Sequence, residues 1–328
     1  MNAKTDNVAK TAGRGFLVIT AAKLWFMVGG SLITFGLPYI FSRGGADGRA
    51  LYGQYIDLNN TLSIFSMVMV TGVMQTVAKF VSERPDNAPG VVRQAGRLMF
   101  VIGLLVAAGF IIGAPYIADA RNNPGLVNGY RLAGLIPFFY AIYTVFIGTL
   151  NGRKEFFRQA LYDIGFTTLK AVLVLGLAFA GLGVIGAFGG FALAAGIIMC
   201  VAIWRVGRTA RGEGEPVERL YAFALQVMLY TLVFNVVFKL DVLMLKPAAV
   251  DLYVPASEWL PGGAVLGVIK QQAVEASADG LMGVYGIGLQ IARLPWQATL
   301  AITFVVFPLV SEATFSNDRG RAQAYVRQ

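Results

Sequence analysis

Four basic side chains fall where a membrane-spanning chain can least accommodate them. Lys23, Lys170, Lys239 and Arg293 each lie inside a long apolar run, where a cation costs on the order of 2.5 to 3.5 kcal/mol even on the lenient insertion scale. Such a group must snorkel, find a partner or face a water-filled cavity. Lys23 is eight residues into the run Gly15 to Phe41, about 12 Å deep at the helical rise of about 1.5 Å per residue. Cations at that depth suit an anionic ligand. A guanidinium grips phosphate oxygens through two parallel hydrogen bonds, whereas an ammonium acts as a point charge. The sequence has no histidine, which removes imidazole metal sites and every Ser-His, Cys-His or His-relay mechanism. Its single cysteine, Cys200, lies in an apolar run, can form no internal disulfide and reads as a small lipid- or core-facing residue.

The neighbours of these cations recur at helical spacing. At about 100° per residue, Thr20, Lys23, Met27, Gly30, Thr34 and Pro38 share one side of the first apolar run. In the second, Asp57, Thr61, Thr71, Gln75 and Lys79 lie close to one line. In the seventh, Thr231, Asn235 and Lys239 are four apart while Asp241 points elsewhere, so that helix must be surrounded. In the eighth, Gln290, Arg293 and Gln297 form a stripe, and Pro295 removes a backbone donor and predicts a kink. Each stripe alone fits helix packing with a snorkelling lysine. Four together, on helices one, two, seven and eight, predict the walls of a polar cavity. In the fifth run Asp163, Thr167 and Lys170 share a face and read as a structural polar seam.

The elements that must carry these residues follow from composition. With 56% hydrophobic and 14% charged residues and a mean hydropathy of +0.64, the chain is a polytopic membrane protein. The pattern predicts an all-α fold of eight transmembrane helices, at about 15 to 41, 56 to 78, 98 to 118, 132 to 151, 160 to 180, 183 to 204, 220 to 246 and 281 to 311. The net charge of +9 does not imply nucleic acid, because the basic residues sort by loop. Alternate loops and both tails hold 17 of them against six on the other side, which predicts both termini in the cytoplasm and a multi-pass protein of the inner membrane. The first run is too long for a cleaved signal peptide and stays as a span. Gly186 and Gly190 stand at GxxxG spacing, suited to close helix packing. The stretch GLGVIG from Gly181 to Gly186 follows a membrane helix instead of a strand and is no dinucleotide fingerprint. Asn59-Asn60-Thr61 is a sequon inside a span and without meaning there.

A faint repeat divides the chain. Leu51-Tyr52-Gly53-Gln54-Tyr55 opens span two and Phe80-Val81-Ser82-Glu83 closes it, while Leu281-Met282-Gly283-Val284-Tyr285 and Leu309-Val310-Ser311-Glu312 do the same for span eight. Spans one and two then correspond to seven and eight, as in transporters built from two related halves. The predicted organisation is a six-helix lobe over 1–210 and the start of a second lobe over 211–328. That second lobe is incomplete: either the sequence is truncated, the favoured reading, or the missing helices come from another chain.

The opening GRGFLVITAAKLWFMVGG, the YGQY and TGVMQTVAKFVSE stretches of span two, FKLDVLML in span seven and the VFPLVSEA exit of span eight resemble the polysaccharide flippases of the multidrug/oligosaccharidyl-lipid/polysaccharide exporter superfamily, the O-antigen flippases among them. The resemblance covers most of the chain. It implies two six-helix lobes, cavity walls from helices one, two, seven and eight, and alternating access for a polyprenyl-diphosphate-linked oligosaccharide. It places Lys23 and Arg293 where relatives carry cations facing a diphosphate, and Asp241 at the acidic position of span seven. The substrate-binding set expected on these grounds is Lys23, Arg293, Lys239, Asp241, Asn235, Gln290, Gln297, Gln75, Lys79 and Asp57. No cofactor is implied beyond a coupling ion, H+ or Na+. The expected partners are membrane lipid and the lipid-linked glycan. The segment Pro247 to Gly280 departs from the family as a long external stretch, with an amphipathic helix from Gly262 to Ala278. Two alternatives stand beside this reading: a cation-coupled multidrug exporter, which calls for a cavity dominated by acidic residues, and a membrane-embedded transferase acting on lipid-linked sugars. The transferase needs a catalytic acid, base or metal cluster, and none is legible, so the chain reads as a non-enzyme.

Overall fold

A computed structural model of the chain describes residues 3–43, 48–206, 216–258 and 264–292, together with 295 and 310. Every regular element among them is helical, the form in which backbone closes its hydrogen bonds within a single segment in lipid. In chain order these are α1 (Ala3–Arg43), α2 (Gly48–Glu83), α3 (Ala88–Ala120), α4 (Val127–Gly152), α5 (Phe156–Leu177), α6 (Gly183–Val206), α7 (Val217–Val237), α8 (Leu240–Glu258) and α9 (Ala264–Ala292). Among the described residues six stretches are long and apolar enough to cross a membrane: Leu17–Arg43, Gly48–Glu83, Pro85–Ala120, Pro124–Gly152, Phe156–Val206 and Val217–Asp251.

The fifth of these, 51 residues long, holds two expected spans because it doubles back at a π-helical turn over Ala178–Leu182. Gly181 at φ 88° and Gly183 at φ 56° supply backbone that a side chain would strain. Beyond the turn, Gly186 and Gly190 lie against the Leu177 and Leu173 carbonyls, so the GxxxG spacing lets α6 run back close along α5. Two other corners are built without glycine. After α3, Asn123 N–H donates to Ala118 O at 2.8 Å and Asn122 N–H to Asp119 O at 3.0 Å, with Asn122 at φ 51°. After α4, Glu155 and Lys154 repeat that pair of bonds to Leu150 and Asn151. Both are paired C-terminal caps that end a helix abruptly. The first fixes Arg121, the residue immediately before Asn122.

The seventh and eighth spans differ from expectation. The run 220 to 246 is interrupted at Phe238–Lys239, and the chain continues as α8 to Glu258. The stretch expected to be external from Pro247 is therefore helical, and the helix carrying Tyr285 begins at Ala264, well before 281. Pro247 lies inside α8 and, having no N–H, leaves the Leu243 carbonyl without its helical donor. Periodicity alone does not reveal this, because a helix can be continuous across the point where its environment changes.

Helices α2 and α4 are the ones the others surround: 61% and 67% of their most apolar windows are buried, against 28% for α1 and α3. Helix α2 packs on α4, α7 and α9 along its length, and α1 lies mainly on α5. The outward faces of α1 and α3 carry Leu24, Phe35, Leu105 and Ile112, an apolar exterior of the kind a bilayer covers. Cys200 is exposed on α6.

Candidate functional site

Polar groups collect in two regions. The first lies within the first six helices. Lys23 Nζ on α1 stands 3.4 Å from Asp163 Oδ2 on α5, with side chains 22% and 17% exposed. The Thr167 hydroxyl donates to the Asp163 carbonyl at 2.7 Å, and Trp25 Nε1 donates to Thr168 Oγ1 at 2.9 Å, tying α1 to α5 a turn further on. Lys170 Nζ sits 3.7 Å from the centre of the Phe191 ring, and Phe191 packs with Tyr140 and Phe166. The in-span cations Lys23 and Lys170 thus have a carboxylate and an aromatic face, the two ways a low-dielectric site holds an ammonium. The seam expected on α5 is present, and its carboxylate faces α1.

The second region follows α2 and joins the first six helices to α7, α8 and α9. Asp57 is fully buried. Its Oδ1 accepts from Arg121 Nε at 3.0 Å and from Arg121 Nη2, and its Oδ2 accepts from the Tyr130 hydroxyl at 3.5 Å. Arg121 Nη1 donates to the Leu243 carbonyl at 2.8 Å, the acceptor that Pro247 leaves vacant in α8. Beside this pair, Lys246 Nζ on α8 is 2.8 Å from Asp279 Oδ1 on α9, with both side chains out of solvent. One turn along α2, Lys239 Nζ donates to Asn60 Oδ1 at 3.2 Å and to Ser63 Oγ, and Lys239 is only 8% exposed. At the far end, Glu83 accepts from Lys79 at 2.5 Å and from Arg219 of α7 at 3.0 Å, beside Phe80 and Phe223.

The residues singled out in the sequence are distributed over both regions. Lys239 is placed in the break between α7 and α8, which aims its stem at α2. Asn235 is buried one turn before it, its amide donating to Thr231 O at 2.8 Å. Asp241 is exposed and accepts from the Tyr285 hydroxyl at 2.5 Å, joining α8 to α9. Gln75 is half-buried on α2. Lys23 is placed beside α5, Asp57 beneath Arg121, and Lys79 at the Glu83 end. Arg293 and Gln297 lie outside the described residues, as does the side chain of Gln290. Sequence reasoning missed Arg121, Lys246 and Asp279, the first two because they were assigned to loops. Two signals were available. Pro247 four residues after Leu243 marks a carbonyl in need of a donor, and extending the repeat back from Gly53 and Gly283 sets Arg49 opposite Asp279.

Residues 50–248 match the family described as polysaccharide biosynthesis protein. No curated protein sequence matches the chain. Among solved structures, the chain is similar to an outward-facing multidrug resistance MATE family transporter of the MOP superfamily, with a TM-score of 0.64 at 14% identity over 95% of this chain and 68% of that one. A MATE protein in the straight conformation gives 0.66 at 15% over 95% and 68%. A MOP superfamily transporter from Pyrococcus furiosus, described by a reverse polarity of its binding pocket, gives 0.61 at 14% over 97% and 75%. At these identities the likeness is one of fold. With more than half of its length matched, the chain belongs to the polysaccharide biosynthesis protein family, and it has the fold of the MATE and MOP superfamily proteins.

Proposed function

We propose that this transporter flips a polyprenyl-diphosphate-linked oligosaccharide across the cytoplasmic membrane by alternating access. The observation that carries this reading is Lys239, an ammonium held between the two groups of helices and reaching α2 at Asn60 and Ser63. Asn60 and Ser63 hold its ammonium on α2 at the junction of the two groups of helices, the place where a diphosphate passing between them would meet it. Lys23 is neutralised by Asp163, so in this reading it orders α1 against α5, and the phosphate contacts fall to Lys239 and to Arg293. In the proposed arrangement eight helices span the inner membrane with both termini cytoplasmic, six forming one lobe and two beginning the next. H+ or Na+ drives the cycle.

Multidrug export on the same fold is the second reading. It calls for acidic residues facing the passage, whereas the carboxylates of Asp57 and Asp163 are each held by a basic partner. Complementation of a flippase-deficient strain tests the proposal. With membrane abundance checked by blot, Lys239→Ala and Arg293→Ala are expected to abolish complementation and Lys239→Arg to retain part of it. Full activity of Lys239→Ala at normal abundance would remove the phosphate-binding role.

A further inference from the structure

The two copies of the repeat touch each other. Gly53 of α2 and Gly283 of α9 are repeat-equivalent, and each faces the backbone one turn before the other. A Cβ on Gly283 would stand 2.7 Å from the Arg49 carbonyl oxygen and 3.4 Å from Gly53 N. A Cβ on Gly53 would run into the Asp279 carbonyl. Residue 49 precedes 53 as 279 precedes 283, so the contact is reciprocal, as at an interface with local two-fold symmetry. Such a contact is backbone on backbone. No side chains interlock across it.

Directly beneath lie four charges, Asp57, Lys246 and Asp279 buried and Arg121 13% exposed, and their pairing is informative. Asp57 pairs with Arg121, both from the first six helices, and Lys246 pairs with Asp279, both from the last three. The bond that Arg121 sends across between the groups ends on a neutral acceptor, the Leu243 carbonyl. An ion pair spanning the junction would strand two buried charges on separation, a strongly unfavourable event. Here each charge departs with its partner.

We infer that this seam, the Gly53/Gly283 contact with the Arg121–Leu243 bond below it, is the gate closing one end of the transport path. The inference rests on the alternating-access reading and adds how that end opens: the α8–α9 pair lifts off α2 with Lys246 and Asp279 still paired. Leu243 O is the one acceptor in that bond that opening exposes without a helical donor, because Pro247 follows it at four residues. Pro247→Ala supplies that donor and lowers the cost of opening. Gly283→Leu inserts a side chain where the backbones meet and holds the end apart.

The test is the alkylation rate of a single cysteine at Ile56, which is 9% exposed and packed against Gly286 just under the seam. It is placed in a Cys200→Ala background, and the full-length protein is reconstituted in nanodiscs and treated with a hydrophilic maleimide. Gly283→Leu and Pro247→Ala are each expected to raise the rate, the latter by about tenfold, the shift in open population that relieving one hydrogen bond to a charged group gives. Pro247→Ala adds a helix-favouring residue, so it remains informative if Gly283→Leu does not fold. Parental rates in monodisperse Pro247→Ala overturn the gate. If the rates rise while the complementation experiment fails, the gate stands and the lipid-linked glycan is the wrong cargo.

Discussion

The two ends of α2 join the same groups of helices by opposite means. At the Asp57 end, two fully or nearly buried ion pairs lie one within each group, and what crosses over is the bond from Arg121 to the Leu243 carbonyl and a glycine contact. At the Glu83 end an ion pair does cross, from α2 to Arg219 of α7, but the arginine side chain is 43% exposed and Glu83 keeps Lys79 as a second partner. The difference follows from solvent. Where water reaches the arginine, a crossing ion pair can break cheaply, because Arg219 is rehydrated and Glu83, only 6% exposed, stays paired with Lys79. Where water is excluded, the same bond would be prohibitive to open, so the charges are kept in pairs that move together.

Three substitutions break or sharpen this comparison. The largest effect is expected from Asp279→Ala, which leaves Lys246 buried without its carboxylate, a loss of about 3 to 5 kcal/mol. It should appear as a pronounced fall in the midpoint of thermal unfolding in detergent. Lys246→Met with Asp279→Leu in one chain should recover most of that fall, since removing both charges together leaves none stranded. A double variant as unstable as the single would mean the pair itself stabilises the fold.

An intermediate effect is expected between α1 and α5. Asp163→Ala strands Lys23 in a partly open site, with a loss of about 1 to 3 kcal/mol, and Lys23→Met in the same chain should restore the midpoint. The measurement separates a structural pair from a substrate contact: restored stability with restored complementation assigns Lys23 to holding α1 on α5.

The smallest effect is expected from Arg219→Ala. Its exposed ion pair contributes about 0 to 1 kcal/mol and is screened by salt, so the midpoint should move little and the difference should vanish at high ionic strength. If Arg219→Ala destabilises as much as Asp279→Ala, the two ends of α2 do not differ in the way their burial suggests.

The depth of legibility varied by residue. The α5–α6 hairpin was readable, because Gly181, Gly183, Gly186 and Gly190 combine a turn with close packing and nothing else in the chain competes for those roles. The break at Phe238–Lys239 was not, since it carries neither proline nor glycine and the apolar run continues through it. A polar stripe read from the sequence gives a direction on its helix without a neighbour. Asp57, expected to face a substrate, accepts instead from an arginine 64 positions later. Lys246, taken as a loop residue, is fully buried.

By itself the sequence determined that this chain lives in a membrane, that it is helical, and that a few charged residues in apolar runs need an explanation. Those conclusions depend on the cost of exposing peptide groups and charges to lipid, which each segment meets alone and which is therefore written locally. The tertiary structure decided the partners: Lys23 with Asp163, Asp57 with Arg121, Lys246 with Asp279, and Arg121 with the carbonyl that Pro247 leaves open. Charge pairing in a low dielectric is a property of two side chains and the distance between them. That distance is set by how helices far apart in the chain come to lie side by side, and no single helix encodes it.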